Sequence, residues 1–446
     1  ENGSFIITWS QNNDDDFQTY TLYESSSEDM SVQTEVVTSQ NNTDITYTVT
    51  GVGEYEFRYY QIVVKDIWGL QTNSNTQTGD SHEWFVKSYG GTGVNQGYSV
   101  LPTIDGGYVV SGETEEFQGN NTDFWLIKTD FLGNEQWNVK YDGGGYDYGS
   151  YSVEQTSDNG YVLVGQSDGN TKLTKIDEIG NQMWDQSYDN NGTGTGYFVQ
   201  LTIDGGFIIT GTSNYDLMLI KTDNEGNEIW NKEYGNWFIS DTDLGYSVQQ
   251  TSDGGYIISG STKSTINGNW GILLLKIDEQ GNEEWVQIFG NNGEDEDDKG
   301  FHSTITSDGG YVVVGYIGNS KDVYLVKTDQ DGNEEWSKSY GGNFDDIGYC
   351  VQQTNDGGYI ITGSTESYGN GDEDVWLIKI DQDGNEEWNQ TYGGVHRDFG
   401  RFVQETPDGG FIITGNTESF GNSSQGSPDI WLIKTDSEGN TEPYGD

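Results

Sequence analysis

Seven times between residue 84 and the C-terminus the chain repeats one pattern, roughly W…YGG…D-x-GYSVQQTxDGGYIIxGxT…D-x-WLIKTDxxGNEE, and no other feature limits its fold so strongly. The Asp-Gly-Gly-aromatic element recurs at Asp105, Asp158 (as Asp-Asn-Gly), Asp204, Asp253, Asp308, Asp356 and Asp408, with spacings of 53, 46, 49, 55, 48 and 52 residues. A unit of this size cannot bury its apolar faces alone and must stack on copies of itself, and a period near 50 residues points to propeller blades. Each repeat holds four strand-like runs, A to D. In the fourth they are Gly245 to Thr251, Gly255 to Thr262, Gly271 to Asp278 and Glu283 to Gly290. Runs B and C, such as "YIIS" and "ILLL", are apolar on both faces, as expected of strands sandwiched between neighbouring blades.

The A–B connection is Asp-Gly-Gly, where glycine supplies the positive φ of a tight hairpin. The C–D connection is Asp-x-x-Gly-Asn, at Asp130, Asp177, Asp223, Asp278, Asp329, Asp381 and Asp436. Both motifs are explained as turns. A tryptophan follows the second one at Trp137, Trp184, Trp230, Trp285, Trp336 and Trp388, with the size to clamp adjacent blades. The last repeat carries Pro443 in that place and lacks a D strand, whereas "EWFVKSYGG" around Trp84 is a D strand without a repeat. Pairing residues 84–90 with the last repeat would close the ring and remove two sheet edges at once.

This "K-x-D-x-x-G-N-x-x-W" signature resembles the docking motif of the PQQ-type quinoprotein propellers, and the whole repeat resembles those of bacterial and archaeal surface propellers. The resemblance spans residues 84–446 and implies a fold; it involves turn and packing positions alone, so it implies no activity. Residues 1–79 form a different unit. "FIITWSQ" with Trp9, "FQTYTLYES" with Tyr20 and Tyr23, and "YEFRYYQIVVKDIWGLQTNSN" with Tyr60, Asp66, Trp68 and Gly69 resemble strands B, C and F–G of a fibronectin type III sandwich. The strand that ordinarily precedes the Trp-bearing one has no counterpart, which reads either as a cut chain or as a place for a strand from another chain. The expected fold is therefore all-β: an immunoglobulin-like, fibronectin type III module over 1–79, then a seven-bladed propeller of four-stranded blades over 80–446.

Composition agrees with this. Only 32% of residues are apolar, yet 13% are aromatic and 64 are Gly, which suits short strands and tight turns and leaves little room for helix. The formal charge of −55, from 74 acids against 19 bases, repels phosphate and anionic membrane surfaces, so nucleic acid is not an expected partner. No apolar run is long enough for a membrane helix, and the first residues do not read as a signal peptide; membrane insertion is not expected. Cys350 is the single cysteine, so no intrachain disulfide is available, and its strand context makes it a packed thiol. Six Asn-x-Ser/Thr sequons, at Asn2, Asn41, Asn120, Asn191, Asn389 and Asn422, are candidate glycosylation sites.

Catalytic constellations are hard to assemble. His82, His302 and His396 are scattered and read as surface or packed residues, and the propeller has only Arg397 and Arg401, too few for a trio gripping a carboxylate. With 74 acids, a glycosidase-type carboxylate pair has no distinguishing signature. Calcium is the cofactor to consider: the run Glu294, Asp295, Glu296, Asp297 and Asp298 reads either as a solvated loop or as a cation site. The D–A and B–C connections are long and variable and share one face, which would carry Phe117, Tyr146, Trp237, Phe238, Trp270, Tyr368 and Phe420. Trp237, Phe238, Trp270, Tyr368 and Phe420 are the candidate saccharide contacts, against the plainer reading of loop packing.

These readings converge on a non-enzymatic extracellular or cell-surface protein, structural or adhesive, with other copies of itself or cell-surface proteins as partners and a head-to-tail filament by strand complementation as its sharper form. The alternative is a polysaccharide-binding or polysaccharide-cleaving propeller acting through its loop-rich face.

Overall fold

The computed structural model describes residues 3–8, 17–25, 33–40, 46–52, 58–66, 71–73, 77–79, 84–91, 93–115, 122–141, 147–188, 194–235, 242–263, 269–290, 297–421 and 427–444. The described residues are strands and turns, with no helix among them. The chain divides into two compact units, 1–83 and 84–446.

The first unit holds two antiparallel sheets. Gly3–Thr8 pairs with Thr46–Val52, while Phe17–Ser25 lies between Gln33–Ser39 and Arg58–Asp66, the latter pairing onward with Gln71–Asn73 and Gln77–Gly79. Tyr20, Leu22, Tyr60 and Ile62 are buried together on the larger sheet.

The second unit is a β-propeller of seven four-stranded antiparallel blades. The fourth blade shows the order: Asp243–Gln250 (A), Tyr256–Lys263 (B), Trp270–Ile277 (C) and Glu283–Phe289 (D), each pairing with the next. B and C are buried along almost their whole length and D is half-exposed, so A and D are the inner and outer edges of a blade pressed between its neighbours. In the seventh blade the D position is filled by Phe85–Tyr89, which pairs antiparallel with Asp429–Thr435.

The repeated motif has a docking role at almost every residue. The Asp of each A–B turn does more than turn the chain: it pairs with the buried lysine of strand C in its own blade, from Lys128–Asp105 (2.8 Å) round to Lys434–Asp408 (2.6 Å). Burying an ammonium group is costly unless it is paired and hydrogen-bonded, and each lysine also donates to the carbonyl of the residue after it, as Lys327 does to Thr328 (2.9 Å). The tryptophan of strand D sets its ring against the turn aromatic of the next blade, with Trp285–Tyr311 centroids 5.9 Å apart; at the closure Phe85 meets Tyr108 at the same distance. The tyrosine ending strand D donates to the C–D turn glycine of the next blade, as Tyr234 does to Gly281 (2.7 Å). Both glutamines of the Gln-Gln pair accept backbone N–H groups from neighbouring blades: Gln249 from Ile305 (2.9 Å), Gln250 from Ile203 (2.8 Å).

Candidate functional site

The site is made by an irregularity in the inner strands. In six blades the A–B register skips one residue, as where Gly245 faces Gly260, Ser247 faces Ser259, and Tyr246 between them has no partner, and in the second blade the irregularity is wider, from Tyr148 to Ser152. The glycine pair permits this approach, because a Cβ on Gly260 would run into the carbonyl oxygen of Leu244. A β-bulge re-aims side chains and is frequent at barrel rims and active sites. Here it turns two successive residues of every inner strand towards the propeller axis.

The first of the two forms a ring. Tyr98, Tyr151, Tyr197, Tyr246, Phe301 and Tyr349 follow one another round the axis, with neighbouring centroids 4.8, 5.3, 5.2, 5.5 and 5.3 Å apart. The seventh position is Arg401. Its guanidinium carbon lies 4.4 Å from the centre of the Tyr349 ring and 5.2 Å from that of Phe399. The second set contains three bulky members, Phe198, His302 and Phe402, which meet edge to face across the axis, His302 at 5.8 Å from Phe198 and 5.6 Å from Phe402. These follow the ring residues in the chain and so lie one step nearer the A–B turns. They floor a cavity of about 230 Å³ lined by all seven ring residues, which stand on the side of the D–A connections. The seven ring residues are each half-buried, with part of their surface on this cup.

The electrostatics of the cup are unusual for a chain so rich in acids. Burial pushes the His302 imidazole down to about 4, so it is neutral near pH 7. Its Nδ1 lies 3.1 Å from the Val351 carbonyl oxygen. A carbonyl only accepts, so this contact assigns the proton to Nδ1 and leaves Nε2 an acceptor, and Nε2 has no hydrogen-bond partner. Arg401 Nε is buried and unpartnered too. Tyr98 donates to Glu113 (2.8 Å), and burial, then Glu113, holds its phenol well above the usual value. Glu113 also accepts from Gly149 N (2.8 Å), which occupies both of its oxygens. Past the plug, Glu154 stands at the inward position two residues after Ser152. It is half-buried, and desolvation pushes its carboxyl up to about 7.

None of the saccharide or calcium candidates singled out from the sequence lines this cup. Trp237 and Phe238 lie outside the described residues, as do Phe117 and Tyr146. Trp270 lies under Lys299 and Lys263, whose amines are 4.5 and 5.7 Å from its ring. Tyr368 leans on Trp376 at 5.2 Å, and Phe420 on Trp431 and Tyr444 at 5.5 and 5.2 Å. Of the acidic run, Glu294, Asp295 and Glu296 lie outside the described residues. Asp297 accepts from Trp270 N (3.2 Å), and buried Asp298 from Gly318 N (2.8 Å). Among the described residues no three His, Cys, Asp or Glu side chains come together as a metal-binding group. Asn2, Asn41, Asn120, Asn191 and Asn422 lie outside the described residues; exposed Asn389 donates to Glu386 (2.7 Å) and accepts from Trp376 Nε1 (3.1 Å). Sequence reasoning set His302 and Arg401 aside as isolated residues. The signal that finds them is their place in the repeat: Arg401 stands in a column that is otherwise aromatic, and His302 in the column after it, which is Ser in three blades.

No protein-family model matches this chain, and no curated protein is similar to it. Solved structures are similar in fold. They include the Pseudomonas aeruginosa periplasmic gluconolactonase PpgL, 10% identical, TM-score 0.48, covering 86% of this chain and 98% of that one. A putative gluconolactonase is 11% identical, TM-score 0.35, with 79% and 92% covered. The β-propeller domain of the Trilobed protease from Pyrococcus furiosus is 7% identical, TM-score 0.44, with 78% and 97% covered. The expectation that this protein is not an enzyme does not hold against these neighbours. Two of these propellers are called gluconolactonases, so the lack of a recognisable catalytic set in the sequence is no ground for excluding a hydrolase on this fold. With identities of 7 to 11% and TM-scores below 0.5, the likeness assigns no activity to this chain, and the fold rests on the sheet topology.

Proposed function

We propose that the propeller is a saccharide-recognising module, displayed outside the cell, that receives one sugar ring in its axial aromatic cup. The observation that carries this reading is the closed ring of six aromatic side chains with Arg401 in the seventh place, over a floor holding an unpartnered imidazole nitrogen. Aromatic faces suit the C–H faces of a sugar, and a few fixed polar groups orient it, the usual composition of a ligand site. Ordinary small-molecule clefts run from about 300 Å³ upward. A cup of about 230 Å³ holds an end group, and a long polymer would have to reach it by a terminus or a branch. This keeps a saccharide ligand but moves its site from the loop aromatics to the axis. Glycan-array binding should fall about tenfold in Tyr197→Ala or Tyr246→Ala with an unchanged melting temperature. Equal binding by these variants and the parent would count against the axial site.

A second reading concerns the first unit, whose pairing order suits a fibronectin type III sandwich. Gly3–Thr8 and Thr46–Val52 form a two-stranded sheet, and each of them has one unpaired edge among the described residues. A strand from a second copy could add there, while the propeller completes its seventh blade with its own Phe85–Tyr89. Filament formation that depends on residues 3–8 would support this; monomers at every concentration would oppose it.

A further inference from the structure

The seventh position of the ring names the class of ligand. Six blades place an aromatic residue there, and one places an arginine whose neighbours are Tyr349 and Phe399. The chain has 74 acids for 19 bases, and the strand-C lysine of every blade is paired with a carboxylate. Among the described residues no carboxylate lies within ion-pair distance of Arg401, and its buried Nε has no partner. An arginine held on aromatic faces, near enough to Glu373 to feel its charge but in ion-pair contact with no carboxylate, keeps its planar fork free for an anion that arrives from outside. The same arginine excludes the cations that aromatic cages commonly hold, because a quaternary ammonium would meet a fixed positive charge. His302 adds a second requirement. With Nδ1 committed to the Val351 carbonyl, its buried Nε2 can only accept, so a ligand group that reaches it through the floor of the cup must be a donor. The six aromatic side chains lining the cup add a third, an apolar patch of one-ring size.

We infer that the cup recognises a carboxylated sugar residue, a uronic acid or similar hydroxy acid: the carboxylate on the Arg401 guanidinium, a hydroxyl donating to His302 Nε2, and the C–H face on the tyrosine ring. This rests on the reading of the axial cup as a saccharide site. It requires no covalent step, and it explains why one blade breaks a pattern that the other six keep.

The test is calorimetric titration of the full chain with glucuronate, galacturonate and mannuronate, each against its methyl ester and against the neutral parent sugar. The acids should bind, and the esters should bind about thirtyfold more weakly or worse, since the ester removes one partner of a desolvated charge pair. Arg401→Gln should weaken the acids to the level of the esters and leave the esters unchanged. Arg401→Lys, which keeps the charge without the fork, should fall between, with melting temperatures showing that both variants fold. His302→Phe should weaken acid and ester alike. Esters and neutral sugars binding as tightly as the acids, with no effect of Arg401→Gln, would overturn the inference and leave the saccharide cup standing. If no acid, ester or neutral sugar binds, both the inference and the cup reading fall.

Discussion

The two ends of the inner strands obey different rules. At the A–B turn end every blade is built alike, with an aspartate on a buried lysine and an aromatic ring under the next turn, seven times over. At the axis the column that makes the cup is kept six times and broken once, and the column beneath it is Ser, Ser, Phe, Ser, His, Cys, Phe. Repetition marks what each blade needs to dock on the next, because that interface is the same at every junction. Departure from repetition marks positions that answer to something other than docking.

If this contrast is right, damage should be unequal. The largest effect belongs to the docking end. Lys434 is 2% exposed and its partner Asp408 30% exposed, so Asp408→Ala leaves an ammonium buried beside the ring closure and should cost about 3 kcal/mol in urea unfolding. Asp253 is 59% exposed, and Lys276 keeps Glu284 at 2.9 Å, so Asp253→Ala should cost about 1 kcal/mol. Equal costs would show that burial does not set the value of these pairs.

Next comes the floor of the cup. The folded His302 titrates near 4, below its unfolded value of 6.5, so acid protonates the unfolded chain first. The stability held by the neutral imidazole is complete above pH 6.5 and is lost as the pH falls towards 4, by about 3 kcal/mol at pH 4. Glu154, raised to about 7, and Asp374, raised to about 6 by desolvation and then by Asp398, act in the opposite sense. Both are present in His302→Gln, so the difference between the two unfolding profiles isolates the histidine. A pH-independent difference would mean that His302 is not buried as a neutral ring.

How much of this is legible in the sequence depends on where the information lies. The blades are legible because Asp-Gly-Gly-aromatic, Asp-x-x-Gly-Asn and the following Trp are local patterns that repeat. The cup is not, because it takes one residue from each blade, about 50 positions apart, and depends on a register skip that an ordinary "GYSVQQT" strand does not announce. Arg401 and His302 look useless alone, one among two propeller arginines and one among three histidines, until the bulge brings their columns together. Variation concentrated on the loops points to saccharide contacts there, whereas Tyr368 and Phe420 pack on Trp376 and Trp431.

Smaller effects sharpen the contrast further. Arg401→Tyr restores the six-blade rule, and a seventh ring edge should add about 1 kcal/mol of stability while abolishing uronate binding. A loss of stability would argue that Arg401 serves the fold. Trp270→Ala and Tyr368→Ala, on the loop face, should leave uronate affinity within about twofold, the expectation for residues outside the binding hot spot.

The most direct measurement is a crystal structure of the chain soaked in galacturonate. The account predicts a single sugar ring on the tyrosine faces above Phe198, His302 and Phe402, with its carboxylate across the Arg401 guanidinium and a hydroxyl on His302 Nε2. Sugar bound among the loop aromatics over an empty cup would contradict it.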